Sequence, residues 1–314
     1  MSARNEAQAR IGDAYVARVL EPSPPADESE PWFADDPVAR GDAPDGIPVV
    51  SPVGTGDLRW DDLVAGDPDL APWCADRWLG AFRQLGPAPA RLGETRRSLH
   101  RVAECVVAPA RTHANSKIGL RYTRGGFGTP FFSVEKQVRV EGADIVVASG
   151  GQERRAPVST VAAAARLLGP DLLPVDAACW SDALPLVVDP AAAAFLGDWF
   201  GFSFSLLEEL RAGAAPGLEP GRVQLWPEHF DPALELGAEA GGARAAYGCS
   251  PGDDVHPEPY LYVAPWTARP KGDLWNATAF AGAELPFSAL PAAGDQRSAA
   301  LAFFSQRCAA LSAA

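Results

Sequence analysis

With 314 residues, 47% of them hydrophobic and 21% charged, the chain can bury a full core in one large domain or two modest ones. Its 30 glycines and 30 prolines exceed ordinary usage but stay below a low-complexity composition, so a loop-rich globular fold is expected. A net charge of -13 argues against a generic nucleic-acid binder or an anionic-membrane binder, because such a surface repels phosphate.

In chain order, a first helix is expected over Glu6–Leu20, where Ala7, Ile11, Tyr15 and Val19 recur at i, i+4 spacing. Met1–Arg10 has no apolar core, so no secretory signal is expected there. From Glu21 to Leu58 the chain carries nine acidic residues, one basic residue and eight prolines. That segment should be extended and solvated, with Trp32 and Phe33 as an anchor or as part of an interaction tail. The organisation expected is therefore an N-terminal helix and acidic, proline-rich segment over 1–58, followed by a single α+β domain over 59–314.

Asp67–Pro68 reads as a cap and first-turn proline of a helix that ends at Gly86–Pro87. Thr95 to about Val107 should be helical, with Leu99, Val102, Ala103 and Val106 on one stripe. The period then changes to two. Lys117–Tyr122 and Thr129–Ser133 read as strands around a turn at Thr123–Gly128, and Gln137–Val140 pairs with Asp144–Ala148 through Gly142. Ser159 should cap a helix that stops at Gly169–Pro170, and Asp189–Pro190 should open the strongest helix, reaching Leu210 or Arg211. Phe200, Phe202, Phe204 and Leu206 also alternate there, so a strand competes. A second strand group follows at Val223–Trp226, Ala233–Leu236, Ala243–Gly248, Tyr260–Pro265 and Leu274–Phe280, and a helix closes the chain at Asp295–Leu311. Strands and helices do not alternate regularly, so the class is α+β with antiparallel meanders and flanking helices. Ala191–Leu207 is apolar but contains Asp198, two glycines and two serines, which suits a buried helix better than a membrane span. The five cysteines are odd in number, scattered and without a C-x-x-C pair, which points to a reducing, cytoplasmic setting.

Few motifs carry chemistry. Gly248-Cys249-Ser250-Pro251-Gly252 matches G-x-S-x-G, but a turn and not a helix follows the serine, so a nucleophile elbow is rejected. Gly125-Gly126-Phe127-Gly128 lacks dinucleotide spacing and reads as a hairpin turn. Arg121 and Arg124 beside it can hold a carboxylate or phosphate, or can be solvated strand-end residues. His113, Asn115 and Lys117 form a further polar group, which reads most simply as surface.

The densest polar constellation is Trp226-Pro227-Glu228-His229-Phe230-Asp231 with Asp253-Asp254-Val255-His256-Pro257-Glu258-Pro259-Tyr260. If Glu228–Asp231 is extended, His229 and Asp231 share a face, as Glu258 and Tyr260 do. His229 and His256 are then expected on one side of the fold, close enough for one ligand to touch both. Three readings stay open: His–carboxylate acid–base or binding chemistry at His229, Asp231, His256 and Glu258; a metal set of His229, Asp231 and His256; or loop histidines that satisfy backbone groups. Trp226, Trp266 and Trp275, with Glu228 and Tyr260, are candidate walls of a small-molecule pocket. No motif assigns a cofactor or a protein partner.

The runs Leu225–Asp231, Tyr247–Asp253 and His256–Val263 resemble a group of uncharacterised actinobacterial proteins. The succession of the Asp189–Pro190 helix, the Phe230–Asp231 strand and the C-terminal helix is similar to a broader bacterial family of unknown function. The resemblance spans roughly 95–312 and implies kinship without an activity. The functional expectation is a small-molecule pocket around the two histidine segments; the alternative is a non-catalytic interaction module that uses the acidic N-terminal segment.

Overall fold

The structure, a computed structural model, describes Phe82 and residues 84–115, 117–123, 125–130, 136–149, 152–169, 171–173, 178–267, 272–291 and 295–313. The expected Glu6–Leu20 helix, the acidic segment with Trp32 and Phe33, most of the Asp67–Gly86 helix and Arg124 lie outside the described residues.

The architecture is α+β: two five-stranded antiparallel meanders with helices packed on them. The chain enters through α1 (Leu92–Val102), a π-helical turn at Ala103–Val107 and α2 (Ala108–Asn115). It then builds the first sheet from β1 (Arg121–Thr123), β2 (Gly126–Gly128), β3 (Gln137–Glu141), β4 (Asp144–Ser149) and β5 (Gln152–Pro157). After α3 (Val161–Leu168) and the long α4 (Pro190–Ala212) comes the second sheet, in the order β6 (Gln224–Trp226), β7 (Asp231–Leu236), β8 (Ala245–Ser250), β9 (Tyr260–Pro265) and β10 (Ala283–Pro286). Helix α5 (Gln296–Ser312) ends the chain. The sheets meet edge to edge where Leu120 and Leu225 exchange backbone hydrogen bonds of 2.7 and 2.9 Å.

Helix α4 lies at the centre. Asp189 caps it by accepting from the Ala192 N–H at 3.0 Å, Pro190 pre-sets its first turn, and the alanines that follow are strong helix formers. These local signals beat the alternating phenylalanines. Trp199, Phe200, Phe202, Phe204, Leu206 and Leu207 are all buried, because the helix is covered on several sides by both sheets and by α1 and α5. Close approach to the first sheet depends on two glycines one turn apart. A Cβ on Gly197 would sit 2.6 Å from the Gly125 backbone, and one on Gly201 would sit 2.9 Å from the Tyr122 ring. Gly197→Ala is therefore expected to lower stability by about 1–3 kcal/mol through overpacking, read as a lower urea midpoint with an unchanged slope. An unchanged midpoint would mean that the β1–β2 turn yields without cost.

Several local expectations are corrected. The helix expected at Thr95–Val107 is longer in both directions. Strands β1 and β2 reach into the region read as a turn, and Thr129–Pro130 is not a strand. Strand β5 was not expected because Gln152-Glu153-Arg154-Arg155 shows no apolar alternation; it is a charged, exposed edge strand paired along β4. Thr160, not Ser159, caps α3, its Oγ1 accepting from the Ala163 N–H at 2.9 Å. Leu274–Phe280 forms no strand. There the Asn276 amide takes a strand's place, donating to the Glu284 carbonyl and accepting from its N–H, each at 3.0 Å. Among the described residues no helix is long and apolar enough to cross a membrane.

Candidate functional site

Alternation along the second sheet divides its faces. Leu225, Leu234, Leu236, Tyr247, Cys249, Leu261 and Val263 point into the core, while Trp226, Asp231, Ala233, Glu235, Ala246, Ser250, Tyr260, Tyr262 and Ala264 line a cleft of about 730 Å³ on the opposite face. Alanines at 233, 246 and 264 leave room above the sheet. The walls are Arg96, Arg97 and His100 from α1, the β6–β7 turn, the loop after β8, and Phe280.

The β6–β7 turn is fixed from below. Trp226 pairs with Asp231, and the Phe230 N–H donates to the Trp226 carbonyl at 2.7 Å. Phe230 adopts the left-handed conformation, φ 57°, an uncommon state for a residue with a Cβ. That twist turns its ring into the core, 5.0 Å from Phe127 and 5.1 Å from Phe200, with His100 stacked on its other face at 5.1 Å. His100 Nε2 also donates to the Pro227 carbonyl at 2.8 Å, so one side chain of α1 holds the turn twice. Glu228–Phe230 is thus a turn and not the extended segment expected, which leaves Glu228 and His229 exposed on the rim and places Asp231 at the start of β7.

Asp231 is only 4% exposed. Tyr262 reaches it from β9, across β8, and its hydroxyl donates to Oδ2 at 2.6 Å. Gly248 makes this path possible: it pairs with Tyr262, and a Cβ there would collide with the Tyr262 ring. The other carboxylate oxygen, Oδ1, has no hydrogen-bond partner among the described residues. Burial pushes the Asp231 carboxyl up to about 6, against the opposing effects of the Tyr262 hydrogen bond and of nearby His229. Burial, with the Asp231 charge, also raises Tyr262 well above the ordinary phenol range.

A second polar group sits beside the cleft. Asp253 Oδ1 accepts from the Val255 and His256 N–H groups, both at 2.7 Å, and Oδ2 accepts from the Tyr260 hydroxyl at 2.8 Å. Burial alone would raise Asp253, but these hydrogen bonds outweigh it and its carboxyl lies below the ordinary range. The His256 ring packs on Tyr260 at 4.4 Å, with Nδ1 3.1 Å from Asp253 Oδ2 and Nε2 3.2 Å from Glu284 Oε2. His256 therefore braces Tyr260 and Asp253, and it does not itself line the cleft that His229 rims.

Of the residues selected from sequence, the cleft brings together Trp226, Glu228, His229, Asp231 and Tyr260, with His256 adjoining through Tyr260 and Asp253. Glu258 turns away and accepts from the Ser288 N–H and hydroxyl at 2.7 and 2.8 Å. Trp275 is a core residue, 8% exposed. Trp266 is half exposed past the end of β9, under the Arg244 guanidinium at 5.2 Å. Arg121 stands on β1 in the other sheet, where Nε donates to the Tyr122 carbonyl. Among the described residues no three His, Cys, Asp or Glu side chains are placed to hold a metal ion, so His229, Asp231 and His256 do not converge as one set. Sequence reasoning missed Arg96, His100, Tyr262 and Ser250. The signals were present: Arg96 lies on the apolar stripe of Leu99 and Ala103 at i, i+3, i+7, and Tyr262 alternates with Tyr260.

Comparison of the chain with protein-family models, with curated proteins and with solved structures finds no match.

Proposed function

We propose that the outer face of the second sheet binds a small molecule and that Asp231 is its acid–base group. One observation carries this reading: a buried carboxyl stands on the floor of an aromatic-walled cleft with one oxygen held by Tyr262 and the other without a hydrogen-bond partner among the described residues. Buried polar groups are normally paired, and an unpaired one costs about 1–3 kcal/mol, so a site that tolerates one suits a ligand that completes it. With its carboxyl near 6, Asp231 has both protonation states accessible close to neutral pH, and the Tyr262 bond directs the exchangeable proton to Oδ1. The volume and the mix of Trp226, Tyr262 and Phe280 with a few polar groups are those of a small-molecule site. The three runs that resemble uncharacterised actinobacterial proteins supply much of the lining, and kinship with them belongs to the same proposal. A cytoplasmic setting, supported by the scattered odd cysteines, belongs to it as well.

Saturation-transfer NMR with neutral, anionic, cationic and zwitterionic fragments tests the site on the full chain. Ala264→Trp sets an indole into the cleft from the outer face of β9 and should weaken genuine binders at least about tenfold. Binders indifferent to Ala264→Trp and to Tyr262→Phe would place recognition elsewhere.

A further inference from the structure

The α1 wall of the cleft holds a second incomplete group. Arg96 is 5% exposed and lines the cleft, yet its Nη1 has no hydrogen-bond partner among the described residues. Among the described residues the nearest carboxylate oxygen to its Nη2 is Asp254 Oδ1 at 3.9 Å, on a side chain 90% exposed. That is a weak, solvent-screened counter-ion for a buried guanidinium. Gly252 makes the room: a Cβ there would lie 2.6 Å from Nη1, and its φ of 97° suits glycine alone. Burial and the neighbouring Arg97 disfavour the charge on Arg96 and outweigh the support from Asp253, Asp254 and Tyr260, so the guanidinium is held below its ordinary range.

The two orphans are complementary. Among the described residues Arg96 offers a charged donor that lacks an acceptor and Asp231 an acceptor that lacks a donor, and both line one cleft. A ligand with only an anionic group leaves Asp231 unpaired, and one with only a cationic group leaves Arg96 unpaired. A phosphate dianion would face Glu228, Asp253 and Asp254 as well. Resting on the small-molecule reading above, we infer that the ligand is a small zwitterion, an amino acid or similar aminocarboxylate with an apolar body, its carboxylate on Arg96 and its ammonium on Asp231. Trp226, Tyr262 and Phe280 receive the apolar body.

Four probes with the same ring separate the charges: L-phenylalanine, phenylacetate, 2-phenylethylamine and 2-phenylethanol, with L-leucine to vary the body, each titrated calorimetrically into the full chain. L-phenylalanine or L-leucine should bind at least about tenfold tighter than any singly charged or neutral probe, since each charge-assisted pair adds an increment of that order. Arg96→Met should erase the preference for L-phenylalanine over 2-phenylethylamine, with Arg96→Lys restoring part of it. Asp231→Asn should erase the preference over phenylacetate. Thermal midpoints of Arg96→Met at or above the parent's exclude unfolding as the cause; if that variant does not fold, Arg96→Lys carries the comparison. If 2-phenylethanol or a singly charged probe binds as tightly as the amino acids, the zwitterion is wrong while the cleft stands. The same holds if the amino acids fail and other fragments bind in a manner sensitive to Ala264→Trp. If no fragment binds at all, both readings fall together.

Discussion

Trp199→Ala is expected to destabilise the protein by about 3–5 kcal/mol, the range for removing a large, fully enclosed aromatic from a core. Trp199 is 0% exposed and stands where α4 meets the second sheet. Its ring meets Phe287 edge-on at 6.0 Å and Phe202 at 6.5 Å, and its Nε1 donates to the Cys249 carbonyl at 3.2 Å. Alanine would therefore leave a cavity and also deprive a buried carbonyl of a donor. Trp199→Phe separates the two effects, because it keeps most of the packing and loses only the hydrogen bond, for about 1–2 kcal/mol. The consequence reaches the cleft, since Cys249 lies between Gly248 and Ser250, whose positions set the path of Tyr262 and the floor beside it. Urea denaturation checks the magnitude, and a loss below about 1 kcal/mol would show that the indole is not a core element.

What the sequence made legible was the periodic part of the molecule. The α4 cap at Asp189–Pro190, the β3–β4 hairpin through Gly142 and the Tyr260–Pro265 strand each carry a local signal that agrees with the tertiary fold. The failures have local causes. Strand β5 has exposed, charged residues because it closes an edge, so the alternation that marks a half-buried strand is missing. Leu274–Phe280 looks apolar enough for a strand because it buries Trp275 and Ala277, yet a side-chain amide does the pairing. The site was legible as a composition of His, Asp, Glu and Trp, but not as a geometry. Phe230, the residue that turns His229 outward and aims Asp231 along β7, has a φ of 57° that an apolar side chain gives no sequence cue for. Tyr262 was passed over because its role depends on Gly248 in the neighbouring strand, and that register appears only once β8 and β9 are paired. Arg96 drew no notice because an arginine ordinarily marks the solvent face of a helix, and only its place on the stripe of Leu99 and Ala103 hints at its burial.

The largest pH effect should come from Asp231. In the unfolded chain its carboxyl titrates near 3.8, and burial in the folded state, partly offset by Tyr262 and His229, moves it to about 6. Below the lower value both states hold the proton and the group leaves stability unchanged. Between the two values the folded state binds the proton more tightly than the unfolded state, so stability falls as the pH rises, and the full penalty applies above about 6. The gap corresponds to about 3 kcal/mol. Asp231→Asn removes this titration. Its amide can still accept from the Tyr262 hydroxyl, and any cost of its new N–H groups does not vary with pH. Every other side chain is the same in both proteins, so the difference isolates the Asp231 carboxyl together with its coupling to His229 and Glu228. The stability of Asp231→Asn relative to the parent should therefore rise by up to about 3 kcal/mol from pH 4 to pH 7, measured by urea denaturation in matched buffers. A higher stability at neutral pH together with lost ligand binding is the pattern of a residue kept for its chemistry at the expense of the fold. Parallel pH profiles for the two proteins would mean that Asp231 titrates as an ordinary carboxylate, and the acid–base role proposed for it would be withdrawn.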